Sequence, residues 1–362
     1  MRKMIVAAAM LLAAGAARAE EPVLNVYNWS DYIGKDTVAR FEKETGIKVR
    51  YDVYDSNEVL EAKLLAGHSG YDVVVPSTTP YLERMAKAKV FLKLDKSKLD
   101  HYGNLDPQIL ASAAIADPGN TYGVPYMWGT TGIGYNVKKV KAALGAHAPV
   151  DSLRLIFDPE VAKKLKSCGI SLLDTPEEVF AAALAYQGRP PLSRDEKDLA
   201  FAGETVKKIR SDVKKFHSSQ YINDLANGDL CVAFGYSGDV FQAQSRAQEA
   251  KNGVEIEYSI PKEGAMIWID QMAIPADAAH PDNAHKWINF ILRPEIAAEI
   301  SNAVAYANPN AKATKLVDKE IRDNPNIYPP ESVKKRLFFD TPVTQQYERA
   351  RTRLWIQVKT GS

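Results

Sequence analysis

The run Tyr71-Asp72-Val73-Val74-Val75-Pro76-Ser77 constrains this chain more than any other stretch. Consecutive β-branched residues without polar alternation suit a strand covered on both faces, as parallel strands between helices are. The neighbouring segments complete such a layer. "VLNVY" is strand-like and leads to a helix over "DTVARFEKETG", with Asp36 as its N-cap and Gly46 closing it. "IKVRYDVYD" alternates as a strand, "NEVLEAKLLAG" is helical, and a helix through "YLERMAKAKV" follows the valine run. This βαβαβα order predicts an α/β layer with a parallel sheet, whose ligands sit beyond the carboxyl ends of its strands. Trp29-Ser30-Asp31-Tyr32 and Ser77 both fall on that rim.

The remaining chain continues the pattern. "YGVPYMWGTTGIGYNV" reads as β structure punctuated by glycine, able to carry the chain from one lobe to another. "GISLLDTPEEVFAAALAYQG" is strand, turn and helix, as is "DLCVAFGYSGDVFQAQSRAQEAK". "IEYSIPKEGAMIWIDQMAIPAD" holds two strands and "NAHKWINFILRPEIAAEISNAV" helices. No internal repeat or low-complexity linker interrupts them. Two α/β lobes joined by β crossings are the expected architecture.

Arg2 and Lys3, the apolar Met4 to Ala17, and Ala17-Arg18-Ala19 have the form of a secretory leader cut after Ala19, leaving 343 residues. No later stretch approaches the roughly 18 apolar residues of a membrane span. The leader holds three of the 46 basic residues, so 43 remain against 45 acidic ones, a net charge of −2. Without a basic stripe, a nucleic-acid partner is not expected. Cys168 and Cys231, the only cysteines, most simply form one disulfide in an exported chain, with two buried thiols as the alternative. Two cysteines without clustered histidines make a zinc site improbable.

Catalytic signatures are missing. "GTTGIG" has neither the Lys-Ser/Thr nor the helix that a phosphate loop needs, and there is no G-x-S-x-G or H-E-x-x-H. His217 is the one histidine near plausible site residues, and it reads as a hydrogen-bonded structural group. What recurs is an aromatic beside a carboxylate at the end of an element. Trp29, Asp31 and Tyr32 come first, then Asp174 with Glu177 and Glu178, Tyr236 with Asp239, Trp268 with Asp270, and Tyr306 after a helix. Each alone has a bland explanation as a cap, a helix-dipole acid or a core ring. Together they suit an organic cation. An ammonium has three donors and no acceptor, so burying one requires carboxylates, and aromatic faces suit its stem and its charge. A diamine or polyamine has that form.

"NVYNWSDYIG", "TGIKVRYDVYDSNEVLEAKL", "YDVVVPS", "PYMWGTTGIGYN", "FHSSQYINDLANGDLCVAFGYSGD", "IPKEGAMIWID" and "RTRLWIQVKTG" closely resemble the periplasmic putrescine/spermidine-binding proteins of polyamine ABC transporters. The resemblance spans essentially the whole chain after the leader. It implies a two-lobed periplasmic binding fold, each lobe a mixed, mainly parallel sheet flanked by helices, with β crossover hinges. One lobe would comprise 20–126 and about 270–310, the other about 127–269 and 311–362. By position, the family's ligand site falls on Trp29, Ser30 and Tyr32 with Asp31 beside them, on Ser77, and on Glu178 with Glu177 as its neighbour. It continues through Tyr236 and Asp239, where putrescine-type members often have Trp, to Trp268, Asp270 and Tyr306. Asp239, Asp270 and Glu178 would neutralise ammoniums, the rings would line the stem, and Ser30 and Ser77 would add hydroxyl acceptors. Members of this type also bridge the positions of Cys168 and Cys231.

The resemblance further implies periplasmic localisation, an inner-membrane ABC permease as partner, a monomer, and no cofactor or metal. Trp268 stands where an indole goes with spermidine and a phenyl with putrescine, so spermidine is slightly favoured. An extra residue just after Ser77 in "PSTTPYLER" departs from the putrescine-type pattern. Competing readings are a receptor for another organic cation, a binding protein for a carboxylate or ferric ion, an exported amine-acting enzyme, or a sensor docking on a signalling receptor. A carboxylate ligand would need an arginine fork, and none stands beside these positions.

Overall fold

The computed structural model describes residues 20–361, so the leader through Ala19 lies outside the described residues. Its strands are β1 (Val23–Trp29), β2 (Lys48–Tyr54), β3 (Val73–Val74), β4 (Gly123–Asn136), β5 (Ile170–Leu172), β6 (Val213–Phe216), β7 (Val232–Tyr236), β8 (Ile256–Ser259), β9 (Ala265–Ala273) and β10 (Leu337–Phe338). They connect in the order β2-β1-β3-β9-β4-β7-β5-β6, with β8 on β4 and β10 on β9. Outer pairs are parallel: β1 with β2 and β3, and β5 with β6 and β7. The central ladders are antiparallel, because β4 and β9 are long strands that return past one another. The sheet is therefore mixed.

Each outer strand is parallel because a helix intervenes. Thr37–Thr45 separates β1 from β2 and ends at Gly46, whose φ of 72° suits a residue without a Cβ. Asp36 precedes this helix as expected, but its side chain makes no capping bond. Ser56 caps the next helix, Asn57–Leu65, by accepting from Val59 N. The valine run is buried on both sides as its composition requires, yet only Val73 and Val74 pair, before Pro76 removes a ladder donor. The helix expected over "YLERMAKAKV" is shorter. A π turn, Thr78–Leu82, precedes it, the helix proper is Glu83–Lys87, and Lys89 at φ 60° turns the chain away.

Two large cores flank the central strands. One gathers side chains from Leu24 to Met127 and from Met272 to Tyr306. The other gathers Trp128 to Ile269 and Ala305 to Val358. The chain passes from one to the other within β4, returns within β9, and passes again near Tyr306. β4 is buried along its whole length, so "GTTGIG" lies inside a strand and forms no phosphate loop. At Gly129 a Cβ would stand 2.8 Å from the Trp268 ring, its cross-strand partner, so glycine is what lets the indole lie over β4.

Cys168 and Cys231 form a disulfide across 63 residues, tying the start of β5 to the start of β7. Closing a loop of that length removes about 4 kcal/mol of unfolded-chain entropy. Changing both cysteines to alanine is expected to lower the unfolding free energy by about 2–5 kcal/mol in urea melts. A smaller loss would mean that the second core alone holds these strands together.

Candidate functional site

A cleft encloses about 790 Å³, open solvent at its mouth included, where strand ends of the two halves meet. Trp29, Ser30 and Tyr32 come from the end of β1, and Ser77 follows β3. Tyr236 ends β7, Asp239 lies in the first turn of the helix Ser237–Ala250, and Trp268 and Asp270 share one face of β9. Tyr306 follows the helix Pro294–Val304, and Glu177 and Glu178 open the helix Pro176–Tyr186.

Two carboxylates are held by hydroxyls from distant segments. Tyr32 Oη donates to Asp270 Oδ2 at 2.9 Å and Ser77 Oγ to Oδ1 at 2.6 Å. Asn57 fixes that serine, accepting from Ser77 N and donating to its Oγ, both at 3.0 Å. At Asp239, Tyr221 Oη donates to Oδ2 and Tyr306 Oη to Oδ1, each at 2.7 Å. Gly238 permits this approach, since a Cβ there would lie 2.4 Å from the Tyr306 ring.

The rings form a continuous wall. Tyr126, Tyr32, Tyr306, Trp268 and Tyr236 meet edge to face in sequence, with centroids 5.2, 5.2, 5.3 and 5.7 Å apart. All of these rings but Tyr126 line the cleft, and the edge-to-face contacts restrict the orientation of each. Trp29 is pinned by its Nε1 donating to Val75 O at 2.8 Å.

The electrostatics have one sign. The lining carries Asp55, Glu58, Glu177, Glu178, Asp239, Asp270 and Asp340, and no lysine or arginine. Loss of hydration pushes Asp239 up to about 6 and Asp270 to about 7, against the opposing hydrogen bonds from their hydroxyl partners. Glu178 is raised well above the carboxylate range by burial, and its Oε2 has no hydrogen-bond partner. Glu177 is raised by burial and by Glu58, while Arg351 opposes the shift. Each of these groups gains by an added positive charge.

The structure brings Trp29, Ser30, Tyr32, Ser77, Glu178, Tyr236, Asp239, Trp268, Asp270 and Tyr306 to this one cleft. Asp31 is the exception. Its backbone is left-handed at φ 55°, which turns its side chain out between Trp29 and Tyr32. There it is neutralised by Arg246 Nη2 at 2.6 Å. Asp174 also stands apart, accepting from Trp355 Nε1 and Lys359 Nζ, both at 2.7 Å, as an anchor for the helix Gln345–Thr360. His217 is structural, its Nδ1 accepting from the backbone of Ser219 and Gln220 at 3.1 Å. Sequence reasoning did not single out Asn57, Glu58, Tyr81, Tyr221 and Asp340, although Phe339 stands directly before Asp340, Glu83 two residues after Tyr81 and Asp224 three after Tyr221. Among the described residues no group of three or more His, Cys, Asp or Glu is placed to hold a metal, and no helix is long and apolar enough to cross a membrane.

The model of the bacterial extracellular solute-binding protein family matches residues 36–329, and the chain belongs to that family. The putrescine-binding periplasmic protein PotF of Escherichia coli K12 is 56% identical over 99% of this chain and 97% of its own. The putrescine-binding periplasmic protein SpuD of Pseudomonas aeruginosa is 55% identical over 96% and 94%. A solved structure from Listeria monocytogenes, named for a spermidine/putrescine ABC transporter, superposes with a TM-score of 0.84 at 33% identity, covering 94% of this chain and all of that one. The fold is that of the two-lobed binding proteins, and these relatives are solute carriers, not enzymes.

Gly238→Ala is expected to force Tyr306 off Asp239 and to cost about 1–3 kcal/mol of stability by overpacking. Gly103→Ala, with open space around it, should be near neutral in the same urea melts.

Proposed function

We propose that the protein captures a linear polyamine dication or trication in this cleft and delivers it to an ABC permease from the periplasm. The observation that carries the proposal is a lining with seven carboxyl groups, a wall of aromatic rings and no basic side chain. Asp239, Asp270 and Glu178 receive ammonium groups, and the methylene stem lies along Trp29, Trp268, Tyr236 and Tyr306. Charge-assisted hydrogen bonds contribute about 1.5–3 kcal/mol each and a desolvated cation–π contact about 2 kcal/mol. After the costs of ordering and desolvation, micromolar affinity near −8 kcal/mol is within reach. The two cores support a division into lobes at 20–126 with about 270–310, and about 127–269 with 311–362, closing on the ligand about β4 and β9. Trp268 favours spermidine, whereas the names of the relatives at 55% and 56% identity favour putrescine. The proposal is therefore drawn at the level of the linear polyamine.

Calorimetric titration of ligand-stripped, refolded protein with putrescine, cadaverine and spermidine tests it. At least one amine is expected to bind at micromolar Kd or better; no heat from any of them overturns the reading. Asp239→Asn should weaken that binding by about 3 kcal/mol, roughly a hundredfold, because an ammonium loses its anionic partner.

The pH dependence has a definite sign. Asp239 and Asp270 hold protons to about 6 and 7 in the empty cleft, and a cation favours their ionised forms. Affinity should rise as pH rises from 5 to about 8 and then level off, with protons released on binding. In the empty protein these groups stabilise the fold fully below their unfolded pKa of about 3.9, and that contribution is lost as pH rises through their folded values. The ligand-induced rise in Tm should thus be larger at pH 8 than at pH 5.5. A flat affinity profile would remove Asp239 and Asp270 from contact with the charge.

A further inference from the structure

One end of the cleft holds acids that the contacts with two ammonium groups leave unused. Tyr81 Oη stands 2.8 Å from Glu58 Oε1 and 2.9 Å from Glu177 Oε1. Glu58 belongs to the helix Asn57–Leu65, while Glu177 comes from the helix Pro176–Tyr186 on the other side. A phenol has one proton and can donate to one of these carboxylates at a time, so the pair is short of a donor. Two more oxygens nearby are short as well. Glu177 Oε2, on a side chain 9% exposed, accepts no hydrogen bond, and neither does Oδ2 of Asp340, which is 5% exposed. All four residues line the same cleft.

The arginines around this cluster reach it but give no hydrogen bond to these two oxygens. Arg351 Nη2 donates to Glu348 at 2.6 Å and stays 3.9 Å from Glu177 Oε2. Arg194 holds Asp340 through Oδ1 at 3.1 Å and leaves Oδ2 free. Arg84 pairs with Glu61 and lies on the outer face of the Tyr81 ring, 4.5 Å from its centroid. What remains are two buried acceptors without a donor, Glu177 Oε2 and Asp340 Oδ2, beside a phenol shared by two glutamates, and an alkylammonium offers three donors and no acceptor.

We propose that Glu58, Glu177 and Asp340 form a station for a third ammonium group, with Tyr81 as the residue that positions the two glutamates. The station makes the cleft select linear triamines through the charge at their far end, over amines with the same backbone that lack it. This inference rests on the polyamine reading above. It adds residues and a basis for selectivity to that reading.

The test is a titration of the ligand-stripped protein at pH 7.5 with putrescine, spermidine and N1-acetylspermidine, which keeps the spermidine backbone but carries a neutral acetamide at its aminopropyl end. Wild type is expected to bind spermidine about tenfold or more tighter than the acetylated amine, the worth of one charge-assisted contact. In Glu58→Gln and in Glu177→Gln the ratio should fall to about twofold or less. Glu249→Gln, an exposed acid outside the cleft, should leave it at the wild-type value. A wild-type ratio near one overturns the inference, and so does a ratio that neither glutamine variant changes. Putrescine binding by wild type in either case leaves the polyamine reading standing, whereas failure of every amine to bind removes both.

Discussion

Everything in this site depends on carboxylates that the fold has withdrawn from water and supplied with hydroxyl donors but no cation. Asp270 has Tyr32 and Ser77; Asp239 has Tyr221 and Tyr306. Those hydrogen bonds favour the ionised forms, yet loss of hydration wins, and both groups sit above the ordinary range. The cleft is therefore short of charge of one sign only. A positive charge relieves it and a negative one worsens it, which separates cationic from anionic solutes before any shape is considered.

The scaffold is arranged to make that possible. The donors to Asp270 come from residues 238 and 193 positions earlier in the chain, so only the assembled central sheet brings them together. β9 carries Trp268 and Asp270 on one face because strand side chains alternate, giving a ring and a charge side by side. Two glycines then remove what would obstruct them: Gly129 beneath Trp268 and Gly238 beside Tyr306. Both lie in ordinary regular structure, so their role is space.

Much of this was legible beforehand. The valine run announced a strand covered on both faces, and the rule that α/β sheets bind ligands beyond their strand ends located Trp29, Tyr32 and Ser77. The alternation of aromatic and acid identified Asp239 and Asp270 as well. The same rule failed at Asp31 and Asp174. Both stand beside the right neighbours in sequence, but a left-handed backbone at Asp31 and the Trp355–Lys359 pair at Asp174 take those charges elsewhere. Tyr221, Tyr81 and Asp340 also have an aromatic or acidic neighbour in sequence, but what brings them to the cleft's carboxylates is a partner far along the chain.

Periodicity, turn chemistry and residue type are local properties, so the sequence by itself determined the alternation of strands and helices, the placing of Trp29, Ser77 and Tyr236 at or just beyond strand ends, and the recurrence of aromatic beside acid. Proximity between distant segments is not local. The tertiary structure alone decided that β4 and β9 run antiparallel between two cores, which hydroxyls dress which carboxylates, and that Asp31 pairs with Arg246 outside the cleft. It also decided that Glu58, Tyr81, Glu177 and Asp340 meet, since loss of hydration and hydrogen-bond geometry act between side chains only once the chain has closed around them.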